Sequence, residues 1–397
     1  MSKGNFFISL PLEKQLESVL ADETVRIKLA ESLTTATAPR SSTVKTDITD
    51  GDFYRDQRAK LGCGVHDLTV SMNADGSPVF KSANYSIWPV QLTLNELPPC
   101  LRWRSVVLPL LWYGAKHPNM TLLLQAFTTQ MEKLAEDGVT WNAGGVAINS
   151  KEAAATNRTI HGVKGPSPLL NVPGFDVVWS FHPEYMHGAL LGVTRQFAEQ
   201  WFSAVGEDFY IGQPSRQSIV NERLCSLKPP QCLNRPPRAL KLGKYWKAAE
   251  WQAWLFYYCL PCVKGVLPDV YYEHFELFAS ALYVLTKTEV TREDVDPSTE
   301  KLTEFVVVTE FLYCKTHMSS NLHMLLHLPK AVLLHGPLWA LSCFPFESNM
   351  GHLLKLISSS NGVPFQILSR ILLRNSFFEL RSMASDEVHG TPFDEET

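Results

Sequence analysis

One acidic residue, Asp75, lies in a context where a carboxylate can hold a divalent cation, and a second, Glu347, lies far from it in the chain. Asp75 belongs to the pair Asp75-Gly76 between two extended segments, LTVSMN and SPVF, a pattern that predicts a β-hairpin. Glu347 follows Phe346 in GPLWALSCFPFESNM, where we expect the first turn of a helix. Carboxylate oxygens are ligands for Mg²⁺. The residues alone favour an ordinary Asp-Gly turn and a glutamate stabilised by the helix dipole.

Histidines provide two further candidates. His187 follows Glu184 by three residues and can bind a metal, although a capping or core histidine is the favoured interpretation. His323 and His327 lie one helical turn apart, a spacing that also suits a metal ion. No acidic residue separates them, so the pair does not match the metalloprotease pattern His-Glu-x-x-His. For this pair we favour a structural role on a helix that faces the core.

The sequence predicts no zinc site. Cys259 and Cys262 form a lone Cys-x-x-Cys in an apolar run, and structural zinc normally takes four ligands. No second cysteine or histidine pair follows at zinc-finger spacing. We therefore interpret both cysteines as packing residues.

The clearest basic cluster lies in the proline-rich stretch LKPPQCLNRPPRALKLGK. Its cationic residues are Lys228, Arg235, Arg238, Lys241 and Lys244. Such a cluster can contact a DNA backbone through its phosphates. A solvated loop is an equally good interpretation, because no aromatic side chains are interleaved with the charges.

Composition indicates a folded intracellular protein. The chain has 397 residues, a net charge of −4 and eight cysteines. The charge gives no overall basic surface, so any DNA-binding surface must be local. The N-terminal residues MSKGNFFISLPLEKQ lack a secretory apolar region, and no apolar run is long enough for a membrane span. We therefore expect reduced thiols, no membrane partner and an oligomeric state that the sequence leaves open.

Hydrophobic periodicity gives a coarse outline of an α+β protein. Residues 1–33 predict a helical leader, and the Ser/Thr-rich residues 34–50 predict a flexible linker. Two further apolar strands and a helix opened by Asn119 follow the hairpin. VTWNAGGVAIN then leads toward a fourth strand. From residue 245 onward the pattern is mainly helical.

Several motifs resemble the CACTA (En/Spm-like) DDE transposases, especially their animal branch. They are Asp75-Gly76, PVFKS, the Ser-x-Trp-Pro-Val-Gln of SIWPVQ, NELPP, the Trp-Lys-Ala-x-Glu-Trp of WKAAEW, and GPLW followed by FPFE. The resemblance implies an RNase H-like mixed sheet formed by 51–177 and 331–373, with 178–330 as a mainly helical insertion. Residues 374–397 would be a frayed acidic tail.

The resemblance also implies a site. Asp75 would be the first catalytic acid and Glu347 the third, together holding Mg²⁺ or Mn²⁺. Glu184 and His187 occupy the positions of the family's Asp-x-x-His. DNA would be the partner and the nucleus the location.

One departure from the family is decisive. The second catalytic aspartate and a Cys-x-x-Cys are both missing near Ile148 and Asn149, as if a segment were deleted there. Two-metal strand transfer needs carboxylates that converge on both ions. We therefore expect a catalytically impaired, transposon-derived protein with residual DNA binding.

Two alternatives stay open. In the first, the chain is an active metal-dependent nuclease or strand-transfer enzyme, with Asp137, Asp176 or Glu184 replacing the missing acid. In the second, the helical portion 245–373 is a non-enzymatic scaffold whose aromatic residues contact a protein partner.

Overall fold

The computed structural model describes residues 5–36, 43–80, 84–139, 141–143, 146–148, 167–172, 174–176, 178–229, 233 and 236–383. The fold is mixed α+β, as predicted. The chain forms two compact units. The sheet unit comprises Met1–Pro39, Gln57–Ser180 and Phe344–Thr397, and the helical unit comprises Arg40–Asp56 and Phe181–Cys343. None of the described helices has the length and apolar character that a bilayer-spanning segment needs.

The strands are short. They are β1 Phe6–Ser9, β2 Val44–Lys45, β3 Val70–Ala74, β4 Ser77–Pro78, β5 Ser86–Leu94, β6 Val107–Gly114, β7 Trp141–Ala143, β8 Val146–Ile148 and β9 Val290–Thr291. The main sheet has the order β1-β6-β5-β3, with β4 also paired to β5 and every pairing antiparallel. The sequence predicted that the segment VTWNAGGVAIN would add a strand to the main sheet. Among the described residues, β7 of this segment pairs instead with β8 in a separate two-stranded sheet.

The α-helices account for most of the remaining structure. They are α1 Leu12–Ala21, α2 Glu23–Ala36, α3 Asp52–Lys60, α4 Pro99–Arg104, α5 Met120–Asp137, α6 Arg195–Ser203, α7 Pro214–Ser226, α8 Ala248–Ala253, α9 Cys259–Val263, α10 Asp269–Leu285, α11 Arg292–Tyr313, α12 Ser320–Met324, α13 Leu328–His335, α14 Phe344–Lys355 and α15 Val363–Met383. Wider π-helical turns, Met186–Thr194 and Trp254–Tyr258, lead into α6 and α9. The last helix reaches Met383, so it overlaps the start of the predicted acidic tail.

Strand β5 is buried on both faces, and helices from both ends of the chain cover it. On one face Val90, Leu92 and Leu94 pack with residues of α1, α2 and α5. On the other face Ile87 packs with residues of α14 and α15. Removing these side chains from water is the main stabilising contribution, at roughly 25 cal/mol per Å² of apolar surface.

The predicted hairpin turn at Asp75-Gly76 is wrong. Both β3 and β4 pair with β5 in one continuous register, so Asp75 and Gly76 interrupt a single extended edge. Asp75 lies opposite Pro89, at a site where an antiparallel ladder would exchange hydrogen bonds. Pro89 has no N–H to donate, so the ladder is broken there. This gap also explains how a proline is accommodated in a central strand.

The N-terminal predictions need two corrections. The leader is not only helical, because β1 pairs with β6 and extends the sheet. Part of the predicted linker is ordered: β2 pairs with β9, and a 3₁₀ turn follows at Ile48–Asp50. Residues 37–42 of that linker lie outside the described residues. Lys45 is only 1% exposed and its Nζ donates to the Asp50 carbonyl at 2.9 Å, so this segment is part of the core.

In the helical unit, Gly51 packs directly against the end of α13. A Cβ added at Gly51 would lie 2.2 Å from the Leu334 carbonyl oxygen and 2.8 Å from the His335 Cα. Backbone atoms cannot move aside as a side chain can, so only glycine fits. The Phe53 ring packs against the His335 ring in a tilted arrangement, with ring centroids 5.2 Å apart.

The interior of the helical unit is a dense aromatic core. Phe197, Trp201, Phe275 and Phe305 are each 0% exposed, and their rings pack edge to face or tilted. The stretch WKAAEWQAWLFYY contributes to this interior, since Trp246, Trp251, Trp254 and Tyr258 are buried. Most aromatic residues that suggested a partner-binding scaffold are therefore core residues.

His274 is buried in this core as a neutral ring. It stacks on Phe305 with centroids 4.4 Å apart, and its Nε2 lies 2.9 Å from the Phe305 carbonyl oxygen. Burial lowers the pKa of His274 to about 4, and the hydrogen bond to Phe305 opposes this only in part. Charging the ring inside the core is therefore unfavourable.

We predict that acid destabilises the protein through His274. Between pH 6.5 and the folded pKa of about 4, the unfolded chain binds a proton that the folded chain does not, so the free energy of unfolding falls as pH falls. From pH 7 to 5 this loss should be about 2 kcal/mol, and His274→Gln should remove it. Urea unfolding at both pH values measures the difference. His352→Gln, at an exposed position of α14, serves as the control and should keep the wild-type slope; an equal slope in all three proteins would refute the prediction.

A second prediction concerns Gly51. Gly51→Ala should lower the free energy of unfolding by about 1–3 kcal/mol, because its Cβ overlaps backbone atoms of α13. Gly188→Ala is the matched control, since its Cβ would meet only the Met324 Cε at an ordinary 3.7 Å. Denaturant midpoints for both variants test this. Equal denaturant midpoints for the two variants would mean that α13 shifts to accommodate the added methyl group without a loss of stability.

Candidate functional site

Asp75 lies on the interrupted edge beside β5. Its Oδ1 accepts a hydrogen bond from the Gly76 N–H at 2.7 Å, and the residue is half-buried. Gly76 is required here, because an added Cβ would lie 2.2 Å from the Trp88 indole ring. The local backbone therefore holds Asp75 where regular strand pairing stops.

Glu347 is in the first turn of α14, as predicted, and α14 is fixed to the sheet by Gln91. The Gln91 side chain is 1% exposed. It accepts from the Asn349 Nδ2 at 2.7 Å and donates from Nε2 to the Phe346 carbonyl at 3.4 Å. Burial makes both bonds costly to lose, so the position of the first turn of α14 is closely set.

The sheet and α14 bring Asp75 and Glu347 together. Ligand oxygens of the two carboxylates lie within 4.8 Å of one another, although the residues are far apart in sequence. Asp75 is half-buried and Glu347 is exposed. Two negative charges at this separation repel, and a divalent cation between them removes the repulsion. Such a pair can hold one Mg²⁺ that keeps several water ligands.

Within the described part of the sheet unit, no third acid completes this pair. Among the described residues, neither Asp137 nor Asp176 belongs to any cluster of three possible metal ligands. Position 149, at the predicted deletion, lies outside the described residues. Two carboxylates balance the charge of one divalent cation, whereas two-metal chemistry needs ligands for a second cation.

Glu184 acts as a helix cap in the helical unit. Its two oxygens accept from the Met186 N–H at 2.9 Å, the His187 N–H at 2.8 Å, the His187 Nδ1 at 2.9 Å and the Cys343 N–H at 3.1 Å. Burial raises the pKa of Glu184, but the bonds from His187, Cys343 and Met186 outweigh it, so the net pKa is lowered. A carboxylate with four donors has little remaining capacity for a metal.

Cys343 was not identified from the sequence. Ligand atoms of Glu184, His187 and Cys343 lie within 4.8 Å of one another. The capping role of Glu184 nevertheless explains the contact between these residues. No sequence spacing indicated the cysteine, because it lies more than 150 positions from His187.

The basic cluster divides into structural and exposed members. Arg238 forms a bidentate ion pair with buried Glu250, at 2.5 and 2.8 Å. Its charge is therefore balanced within the protein. Lys228, Lys241 and Lys244 are exposed, and Arg235 lies outside the described residues. Tyr245 is 61% exposed, and the Lys244 Nζ lies 4.9 Å from its ring centroid. An exposed aromatic ring thus lies beside Lys244, directly after the stretch in which the sequence showed no interleaved aromatic residue.

The cysteine and histidine pairs differ in exposure. Cys259 and Cys262 are each 0% exposed, and burial raises the pKa of Cys262 to about 11, as expected for packing residues. His323 and His327 are both exposed, so the predicted role against the core is wrong. The buried positions of that helix are taken by Leu322 and Leu325 instead.

Comparison with known proteins adds no family assignment. No protein-family model matches this sequence, and a search of curated proteins found no match.

The Gln91 contacts give a test of how the site is held. Gln91→Leu should cost about 1–3 kcal/mol, because it leaves Asn349 and the Phe346 carbonyl without their buried partner. It should also speed hydrogen exchange in α14. Gln125→Leu, at an exposed position of α5, is the control and should change stability little. Wild-type exchange rates in Gln91→Leu would show that packing alone holds the helix.

Proposed function

We propose that this chain is a transposase-derived protein whose sheet unit is an RNase H-like remnant that binds one divalent cation through Asp75 and Glu347. The observation that carries the proposal is the approach of these two carboxylates to within 4.8 Å. They are also the acids that the resemblance to CACTA transposases assigns to metal binding.

The order of elements supports the fold part of the proposal. Three antiparallel strands, the β3–β4 edge, β5 and β6, are followed by α5, with one acid on the first strand and the other on a late helix. An RNase H-like core would place a further strand beside the β3 edge. The hairpin β7–β8 does not occupy that place in the described residues.

The ligand count supports the impaired part of the proposal. One Mg²⁺ or Mn²⁺ at Asp75 and Glu347 can polarise a phosphate oxygen or a bound water. A second ion would be needed to stabilise the leaving oxygen in strand transfer. With two carboxylates for one ion, we expect cation binding without efficient strand transfer.

DNA binding is the residual activity that we propose. Lys228, Lys241 and Lys244 can neutralise phosphates, and the exposed Tyr245 ring can stack on an unpaired base. Single-stranded DNA is the favoured form, because stacking requires an accessible base face. A nuclear location would follow from this role.

The cation site makes a direct prediction. At about 100 times the dissociation constant, Mn²⁺ should raise the free energy of unfolding by about 2.7 kcal/mol, and Asp75→Asn or Glu347→Gln should abolish that rise. Without metal, Asp75→Asn should be slightly more stable than wild type, because the repulsion between the carboxylates is removed. Thermal unfolding with and without Mn²⁺ measures both effects.

The control and the decisive assay complete this test. Asp137→Asn removes an exposed acid of α5 and should leave the Mn²⁺ effect unchanged. Nicking of supercoiled DNA with Mn²⁺ should be absent or very slow in wild type. Efficient nicking that disappears in Asp75→Asn would establish an active enzyme instead. A wild-type Mn²⁺ effect that persists in both site variants would place the cation elsewhere.

A further inference from the structure

The exposed histidines of the helical unit form a second possible metal site, of different chemistry from the carboxylate pair. His323 belongs to α12, and His327 ends the 3₁₀ turn Leu325–His327 that continues it. Their Nε2 atoms lie 3.3 Å apart, and both side chains are exposed. We propose that these two imidazoles bind Zn²⁺ at the surface, with the remaining coordination positions open to water.

The separation of the nitrogens fits this ion. Two nitrogens at about 2.0–2.1 Å from a tetrahedral Zn²⁺ are about 3.3–3.4 Å from each other. The observed 3.3 Å therefore needs no rearrangement of the helix. Without metal, a ring that carries its proton on Nε2 can donate to the Nε2 of the other ring across this distance. Metal binding moves that proton to the Nδ1 of the same ring, so both Nε2 lone pairs face the ion and no net proton is lost.

The opposite side of α12 keeps the pair in place. Ser319 caps the helix by accepting from the Leu322 N–H at 3.2 Å, and its hydroxyl donates to the Gln196 side chain at 3.0 Å. Asn321 and Met324 pack against the glycines of the π-helical turn, Gly192 and Gly188. With this face fixed, the backbone that carries the histidines is already ordered, so metal binding restricts mainly the two imidazole side chains.

The donor set selects the class of metal. Neutral imidazole suits zinc, copper and nickel, whereas carboxylate and water suit Mg²⁺ and Mn²⁺. The pair is therefore distinct from Asp75 and Glu347 in the ion that it prefers. The sequence-based expectation of no zinc site rests on cysteine spacing and on a preferred core role for the two histidines, whereas both imidazoles are exposed.

Zinc titration of the full chain by isothermal calorimetry tests the proposal. The exposed thiols of Cys100, Cys225 and Cys314 also bind Zn²⁺, so they are first alkylated in every protein. Wild type should then bind one equivalent that His323→Gln and His327→Gln each lose. Both substitutions are at exposed positions, so unfolding temperatures without metal should match wild type.

Two controls separate this site from others. His352→Gln, at an exposed position of α14, and Asp75→Asn should both retain the equivalent of zinc. Co²⁺ added in place of Zn²⁺ should give the visible spectrum of a nitrogen- and oxygen-ligated ion, again lost in either histidine variant. Zinc binding that is unchanged in His323→Gln and His327→Gln, or absent from wild type, would overturn the proposal. Loss of zinc in Asp75→Asn would also overturn it, by placing the ion at the carboxylates.

Discussion

The sheet unit depends on the burial of β5 on both faces. A strand with apolar residues pointing both ways must be covered twice, and the chain supplies the two layers from its opposite ends. The leader helices and α5 cover one face, and α14 and α15 cover the other. As a consequence, a helix more than 200 residues away in sequence lies on the strand that carries Gln91. The closeness of Asp75 and Glu347 follows from this requirement for a second layer.

Hydrogen bonding then refines what burial begins. Gln91 is the polar residue that the second face of β5 presents to α14, and both of its bonds are to that helix. A buried amide tolerates few geometries, so it sets the rotation of the first turn of α14 more closely than apolar contacts can. Gln91 was visible in the sequence within the motif SIWPVQ, yet nothing local indicated its partner. Its role depends on the tertiary fold, which places Phe346 and Asn349 within hydrogen-bonding distance of it.

Local sequence patterns predicted an element well where residues within or next to it fix its start and end. Helix α5 is an example: Asn119 accepts from the N–H groups of Thr121 and Leu122, and Gly138 has the positive φ of 70° expected after the last turn. Residues 43–50 show the opposite case, because their Ser/Thr-rich composition suggested a linker while a distant strand, β9, orders them. The prediction of a hairpin turn at Asp75-Gly76 failed for the same reason. Pairing of β3 and β4 with β5 on either side keeps this backbone extended, and the two residues alone do not indicate that pairing.

The acids illustrate why residue type alone does not define a metal site. Glu96 is 0% exposed, but its oxygens accept from the Thr69 N–H and hydroxyl, and Arg58 lies 3.6 Å away. Glu184 is similarly occupied by N–H donors. The carboxylates of Asp75 and Glu347 approach each other, and the repulsion between two such charges falls when a cation lies between them. Because hard oxygen ligands and the imidazoles of His323 and His327 prefer different ions, the two sites need not compete. We therefore propose that the same chain binds Mg²⁺ or Mn²⁺ at the carboxylates and Zn²⁺ at the histidines.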